Sequence, residues 1–448
     1  MMREEKITKL LIRFAIPSMT GMIAGAIYNI VDRIFVGQLV GTVGLAAITT
    51  TSPIMVLMFA WSLLFGIGGS SRVAILRGAK KQRLAEQALS QAVMMLVFTG
   101  IFAALLGATC TDTLLRLSGT SDTVLPVARA YMKIILFGAP FALVSVAFNS
   151  LIRACGAPKY AMWTQIVGAG ANVLLDAAFI GWMGMGVAGA ALGTVVAQFL
   201  STLIGIYYFF SNDATVKMKL HFMLRPKLDV LKKIISVGVA PFLVEFAFVF
   251  YITIMNRLIY KYGGDLGLSA VGIFFSIDSL LFLPAFAIGE AAQPIIGYNY
   301  GAHLTDRVIE IVKEALVLVC GVYFIAFCTA ELFAEQLVMI FNSDPGLIDI
   351  AVPGLRISYI GLVFFGLPVV TTSTLQGLGL GKQSVILSAF RQGLFLFPPI
   401  IILPYFFGIW GIWGAFPVGD IMGAMVAGVF LRRTVKWLRS PEAEFSEK

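Results

Sequence analysis

The chain has 448 residues, of which 59% are hydrophobic and only 13% are charged, and its formal net charge is +9. Soluble domains carry about 25% charged residues, so this composition excludes an ordinary soluble protein and indicates a polytopic membrane protein. The two histidines and four scattered cysteines exclude a metal-binding cluster of these residues and a CxxC redox motif.

Twelve apolar stretches are long enough to cross a bilayer as helices, for which about 20 residues are needed. In chain order they cover residues 10–38, 44–70, 88–110, 128–151, 160–182, 186–210, 233–260, 268–296, 310–332, 352–375, 384–406 and 410–431. The predicted fold class is therefore an all-α polytopic membrane protein with twelve transmembrane helices.

The first span contains a carboxylate, Asp32, where a charge costs about 2.5–3.5 kcal/mol on insertion scales and most often faces a watery cavity or a partner. Earlier in this span, Pro17 removes a backbone hydrogen bond and favours a bend, so we predict a hinge there. Tyr28 lies one turn before Asp32, on the same helix face. The alternative is an ion pair between Asp32 and Arg33 at the helix end.

The fifth span contains a second carboxylate, Asp176, and Asn172 lies one turn before it on the same face. Thr194 follows in the sixth span. Counted at about 1.5 Å per residue, Asp32 and Asp176 both lie in the outer half of the bilayer. Two carboxylates, an amide oxygen and a hydroxyl suit Na⁺, and two neighbouring acids equally suit a shared proton. The predicted ion-coupling site leaves H⁺ and Na⁺ open.

Short motifs of the first half recur in the second half at a nearly constant offset. The matching pairs are Ala15-Ile-Pro17 with Val239-Ala-Pro241, Gly44–Ala47 with Gly267–Ala270, Gly78-Ala79 with Gly301-Ala302, and Gly186–Ala190 with Gly411–Ala415. We predict an N-terminal six-helix lobe (1–210), a cytoplasmic linker (211–231), a C-terminal six-helix lobe (232–437) and a cytoplasmic tail (438–448). An even number of spans per repeat relates the lobes by a pseudo-twofold axis along the membrane normal, and such lobes rock around a central cavity.

Most of the 33 lysines and arginines fall on alternate connections when the N-terminus is cytoplasmic. The exceptions are Arg33, Arg116, Arg129, Lys133, Arg257, Lys261 and Arg356. The positive-inside rule thus places both termini in the cytoplasm and the protein in the plasma membrane. The basic excess is a topology signal, so we expect contacts with membrane lipid but none with nucleic acid.

The acidic residues differ between the lobes, because Asn256 replaces Asp32 and Pro399 replaces Asp176 in the repeat. The second lobe has intramembrane acids of its own, namely Glu245, Asp278, Glu290 and Asp420. They either bind a cationic substrate or satisfy polar groups between helices. Glu245, one turn after Pro241, is the best candidate for the substrate cavity.

Enzymatic signatures are absent from the sequence. The segment Gly377–Lys382 lacks the GxxxxGK[ST] spacing of a phosphate loop, and neither GxSxG nor HExxH occurs. We therefore expect no enzymatic activity, no nucleotide-driven transport and no cofactor other than the coupling ion.

Three segments resemble the multidrug and toxic compound extrusion (MATE) family: IYNIVDRIFVG in the first span, NVLLDAAFI in the fifth and QPIIGYNYGA at the end of the eighth. The likeness is greatest to the prokaryotic branch with a cation site in the N-terminal lobe. It implies that this site is formed by Asp32, Asn172, Asp176 and Thr194, that Tyr28 adjoins it, that Pro17 bends the first helix, and that Asn149 and Gln165 line the same cavity. Another branch uses a Glu in the seventh span and an Asp in the tenth, and here the tenth span has no acid.

These features indicate a monomeric secondary-active antiporter that exports amphipathic, cationic organic compounds in exchange for H⁺ or Na⁺ by alternating access. A flippase for a lipid-linked precursor is the alternative. It is disfavoured because Arg33, Arg257 and Arg356 are the only arginines available to a basic cavity. A non-transporting scaffold would not explain the intramembrane acids.

Overall fold

The computed structural model describes residues 2–342 and 344–443, and every regular element within these ranges is helical. The first seven helices are α1 (Ile7–Leu39), α2 (Thr42–Gly78), α3 (Gln82–Leu117), α4 (Leu125–Phe137), α5 (Ala139–Ala154), α6 (Pro158–Asp176) and α7 (Gly186–Phe210). The others are α8 (Leu220–Met223), α9 (Leu228–Gly301), α10 (Thr305–Met339), α11 (Pro345–Tyr359), α12 (Leu362–Gly377), α13 (Gly381–Ser388), α14 (Phe397–Phe407) and α15 (Ile409–Leu438). Two π-helical turns, Ala177–Trp182 and Ala389–Leu396, interrupt the fifth and eleventh spans.

The predicted all-α membrane fold is confirmed. In the described ranges nine helices are long and apolar enough to cross a membrane, and two bent helix pairs raise the number to 11. The 74-residue α9 is two helices joined at Gly264, whose φ of 59° and ψ of −152° suit glycine. With α9 counted as two spans, the twelve predicted spans are all accounted for.

The fourth and tenth predicted spans are both bent. The angle is 60° between α4 and α5, and 51° between α11 and α12. The breaks fall at Gly138 and Gly361, which occupy matching positions of the repeat. A Cβ at Gly361 would lie 2.6 Å from Pro417 Cα, and one at Gly138 would overlap the Val195 side chain. Glycine at both breaks therefore lets a neighbouring helix approach closely.

The chain divides into two compact units. One runs from Ile16 to Glu245, and the other combines the residues up to Ala15 with those from Phe246 onward. The first boundary lies in α1 beside Pro17, and the second lies in α9 one turn after Pro241. The limits 1–210, 211–231, 232–437 and 438–448 stay predictions.

Helices α6 and α7 carry most of the predicted ion site, and small side chains let them pack closely. Ser201 Oγ donates to the Thr164 carbonyl oxygen at 3.0 Å, which ties α7 to α6. A Cβ on Gly168 would overlap Ser201 Oγ. These contacts hold the first half of α6 close to the second half of α7.

Candidate functional site

The structure brings the two aspartates of the first lobe together. Asp32 on α1 is 8% exposed and Asp176 at the end of α6 is fully buried. Their carboxyl groups lie within hydrogen-bonding reach of each other. In each carboxyl group, Oδ1 is buried and has no hydrogen-bond partner among the described residues. Arg33, which follows Asp32 in the sequence, is exposed on α1.

Asn172 connects the acid pair to α7. It is 2% exposed, and its amide is satisfied when Nδ2 donates to Asp176 Oδ2 at 3.2 Å and Oδ1 accepts from the Thr194 backbone N–H at 3.3 Å. The same amide end lies 3.4 Å from Thr194 Oγ1. The three residues Asn172, Asp176 and Thr194 therefore form one buried polar cluster, as their predicted role requires.

A glycine on α7 makes room for the Asp176 carboxylate. A Cβ at Gly193 would overlap Asp176 Oδ1, so any larger residue at this position displaces the carboxylate. Asp176 is also the last residue of α6 before the π-helical turn Ala177–Trp182. Turns of this kind are rare and often occur at functional sites.

Two tyrosines lie within electrostatic reach of the pair. Tyr28 is half-buried on α1 and interacts with both Asp32 and Asp176. Tyr131 on α4 interacts with the same two acids and with Tyr28, and it is 2% exposed. Its hydroxyl lies 3.9 Å from Met55 Sδ. The sequence interpretation missed Tyr131, although a tyrosine hydroxyl within an apolar span signals a buried polar partner.

Gln165 and Asn149, which the resemblance assigned to the cavity, form a second polar contact in this unit. Gln165 Nε2 donates to Asn149 Oδ1, so the contact joins α6 to α5. Helix α1 packs against the same amide through Gly21, where a Cβ would lie 2.7 Å from Gln165 Oε1. The Asn149–Gln165 contact therefore lies where α1, α5 and α6 meet.

Pro17 lies buried inside α1, which continues through it as one helix from Ile7 to Leu39. Its ring leaves the carbonyl oxygen of Arg13 without the usual intrahelical donor. The Ser18 hydroxyl is buried without a partner among the described residues. This turn of α1 therefore has fewer hydrogen bonds than the neighbouring turns.

Glu245 is half-buried at the end of the unit that begins at Ile16. Its predicted place in the substrate cavity stays a prediction. Asp278, Asp420 and Arg391 line a cavity in the other unit. The prediction that only Arg33, Arg257 and Arg356 are available to a cavity was therefore wrong, because Arg391 lies inside the eleventh span rather than on a cytoplasmic connection.

The comparisons with known proteins agree with this architecture. The MatE family model matches twice, at residues 17–178 and 241–402, which corresponds to the internal repeat. The chain is 26% identical to the multidrug export protein MepA of Staphylococcus aureus (strain NCTC 8325 / PS 47) over 94% of this chain and 92% of that protein. Crystal structures of a MATE transporter in the bent and straight conformations superpose with TM-scores of 0.92 and 0.91. Each is 25% identical, and the match covers 98% of both chains. Since the family model covers most of its length, the chain belongs to the MatE family of membrane transporters.

Proposed function

We propose that this multi-pass membrane protein is an antiporter that exports amphipathic, cationic organic compounds and takes up H⁺ or Na⁺ in return. The Asp32–Asp176 pair holds the coupling ion. One observation carries this proposal: two buried carboxyl groups face each other, and each has an oxygen without a partner among the described residues. Two adjacent carboxylates repel each other unless a proton or a cation lies between them. The pair is therefore built to take up one positive charge.

The orientation of Asn172 bears on which ion is used. Its Nδ2 donates to Asp176, so the amide offers this acid a donor rather than a ligand oxygen. A shared proton fits this arrangement as it stands. A Na⁺ ion coordinated by Asp32, Asp176, Asn172 and Thr194 would require the amide to turn over, because Na⁺ binds oxygen and not an N–H group.

The exchange follows from competition for the same negative charge. A cationic compound enters from the cytoplasm while the pair is ionised, and Tyr28, Asn149 and Gln165 provide polar and aromatic contacts for it. Uptake of the coupling ion neutralises the pair and removes the attraction for the compound. Bending of α1 at Pro17 then reduces the cavity, and the existence of bent and straight forms of a related MATE transporter supports this step.

The stoichiometry sets the driving force. One-for-one exchange of a monovalent cation for H⁺ or Na⁺ moves no net charge, so only the concentration gradient of the ion drives it. Uptake of a second ion would add the membrane potential, which contributes about 2.3 kcal/mol per charge per 100 mV. The exchange ratio therefore decides whether export responds to voltage.

The name of the related MepA supports multidrug compounds as substrates. The alternation of basic connections supports a location in the plasma membrane with both termini in the cytoplasm. A six-plus-six helix repeat contains both lobes in one chain, so a monomer is sufficient for transport.

Export of a fluorescent organic cation from proteoliposomes, with a proton gradient and a Na⁺ gradient imposed separately, tests the proposal. We expect one gradient to drive export by wild-type protein and neither to drive export by Asp32→Asn. Full gradient-driven export by Asp32→Asn would refute the role of the pair.

A further inference from the structure

The segment 211–227, which joins α7 to α9, is attached to α3 by polar contacts. Lys219 Nζ lies 2.5 Å from Glu86 Oε2, and the Glu86 side chain is 8% exposed. Further along the segment, Gln91 Nε2 donates to the Arg225 carbonyl oxygen at 3.4 Å. The segment therefore has a fixed position on α3 and presents one side outward.

The inward side of this segment is apolar. Ala214, Val216 and Met218 are buried and alternate with exposed residues, and Phe222 is 7% exposed. Alternation of this kind places successive side chains on opposite sides of an extended backbone. The buried residues thus decide which side chains of the segment face outward.

Three leucines lie on the outward side, although nothing in the described part of the chain covers them. Leu220, Leu224 and Leu228 are 66%, 74% and 72% exposed. Single exposed leucines are common, but a group of them marks an interaction site. This part of the chain is therefore expected to contact an apolar partner.

The charges beside the leucines are mainly positive. Lys217, Arg225 and Lys227 are exposed and form no ion pair among the described residues. The nearby acids have partners within the protein: Asp213 accepts from a tyrosine hydroxyl at 3.0 Å, and Asp229 interacts with a lysine of α9. The partner should therefore be anionic as well as apolar.

Helix α3 shows how deep the segment lies. Gln91, which contacts the segment, precedes Phe98 by seven residues, and Phe98 is the first large apolar side chain of α3 that is exposed. Seven helical residues span about 10 Å along the axis. The headgroup layer adds about 5–7 Å to each side of the hydrocarbon core. The segment therefore lies at the level of the lipid headgroups.

We propose that the outward side of the segment 211–227, together with Leu228, docks on an anionic phospholipid leaflet. The three leucines enter the headgroup layer, and the three unpaired cations lie against lipid phosphate groups. Burial of apolar side chains and attraction to anionic lipid act together in interfacial segments. Because Lys219 and Arg225 connect the segment to α3, docking anchors this helix to the leaflet.

Acetylation of lysines in the full-length protein tests this docking, because a lysine in contact with a phosphate group reacts slowly. The protein is placed in nanodiscs of phosphatidylcholine, or of phosphatidylcholine and phosphatidylglycerol in equal amounts, and mass spectrometry follows the reaction of each lysine with a water-soluble reagent. Lys382 is the internal control, since it is exposed on α13 and residues 365–389 include no exposed large apolar side chain. We expect phosphatidylglycerol to slow Lys217 and Lys227 about fivefold more than Lys382. Equal slowing of all three, or none at Lys217 and Lys227, would overturn the proposal.

The contribution of the leucines is tested by replacing all three. The variant Leu220→Ser/Leu224→Ser/Leu228→Ser removes only exposed side chains, so the fold should persist. We expect it to abolish the slowing by phosphatidylglycerol, because the segment no longer enters the headgroup layer. Slowing that survives without the leucines would overturn the docking.

A matched pair of variants tests the charges. Arg225→Gln keeps the carbonyl oxygen that accepts from Gln91, and it should reduce the slowing about twofold. Arg432→Gln removes an exposed cation from α15, and it should leave the slowing at the lysines of the segment unchanged. An equal reduction in both variants would indicate a general effect of charge and would overturn the proposal.

Discussion

The two lobes of this transporter bury acidic side chains in different ways. In the first lobe Asp32 faces Asp176, and no Lys or Arg of the described residues forms an ion pair with either. In the second lobe Asp278 accepts from Tyr359, and Asp420 interacts electrostatically with Arg391. Two facing carboxylates repel each other unless a proton or a cation lies between them, whereas Asp278 and Asp420 each have a neighbouring polar or basic group of the protein. The comparison supports the proposed ion exchange at the acid pair of the first lobe.

The largest effect is expected where the acid pair itself is broken. Asp176→Asn removes one of the two carboxyl groups, and we expect gradient-driven export in proteoliposomes to fall by about a hundredfold or more. Asp122→Asn is the matched control, because Asp122 is 83% exposed and pairs with Arg116 at the surface. This control should stay within about twofold of wild type. Normal export by Asp176→Asn would remove the distinction between the lobes.

Displacement of the pair without loss of either acid should have a smaller effect. Gly193→Ala places a Cβ against Asp176 Oδ1, and the carboxylate must move to avoid it. We expect export to fall about tenfold, because small displacements of a reacting group are costly. Gly170→Ala on α6 meets no atom within 4 Å and is the control. Equal export by both alanine variants would show that the position of the carboxylate is not critical.

The repeat offers a direct test of the hinge. Pro17→Ala restores a backbone N–H within α1, and we expect the stiffer helix to slow export about fivefold at unchanged protein level. The repeat-related Pro241→Ala should slow export less than about twofold, since the proposed ion site contains no residue of the second lobe. The export rates of the two variants, measured side by side, show whether the hinge lies at Pro17. A larger effect at Pro241 than at Pro17 would contradict the assignment.

The smallest effect is expected at the tyrosine that joins the site from α4. Tyr131→Phe removes one hydroxyl near the acid pair, and we expect about a threefold rise in the ion concentration that gives half-maximal export. The maximal rate should not change, because both carboxyl groups remain. A loss of maximal rate with unchanged ion dependence would instead indicate a role for Tyr131 in folding or in substrate binding.

Much of the fold was predictable because the bilayer imposes a strong constraint on sequence. About 20 apolar residues per span identify the helices, and the repeated glycine motifs reveal the two halves. The bends at Gly138 and Gly361 were not predicted, because a glycine within an apolar span signals either a break or close packing. Only the positions of Val195 and Pro417 in the structure explain why these glycines are required.

The candidate site was predictable where it consists of charged residues, because their insertion into the bilayer costs free energy. Asp32 and Asp176 stand out within apolar spans, and Asn172 follows from helical spacing. Tyr131 did not stand out, because aromatic residues are common in transmembrane helices and its neighbours come from other helices. The cavity around Asp278 was missed for the same reason: its walls come from five separate stretches of the chain.

Ion release on substrate binding tests the central claim most directly. An organic cation is titrated into the purified protein in weakly buffered solution, while pH and Na⁺ activity are recorded together. We predict that about one H⁺ or one Na⁺ leaves the wild-type protein for each cation bound, and that none leaves Asp176→Asn. Release of the same ion in the same amount from Asp176→Asn would show that the acid pair does not hold the coupling ion.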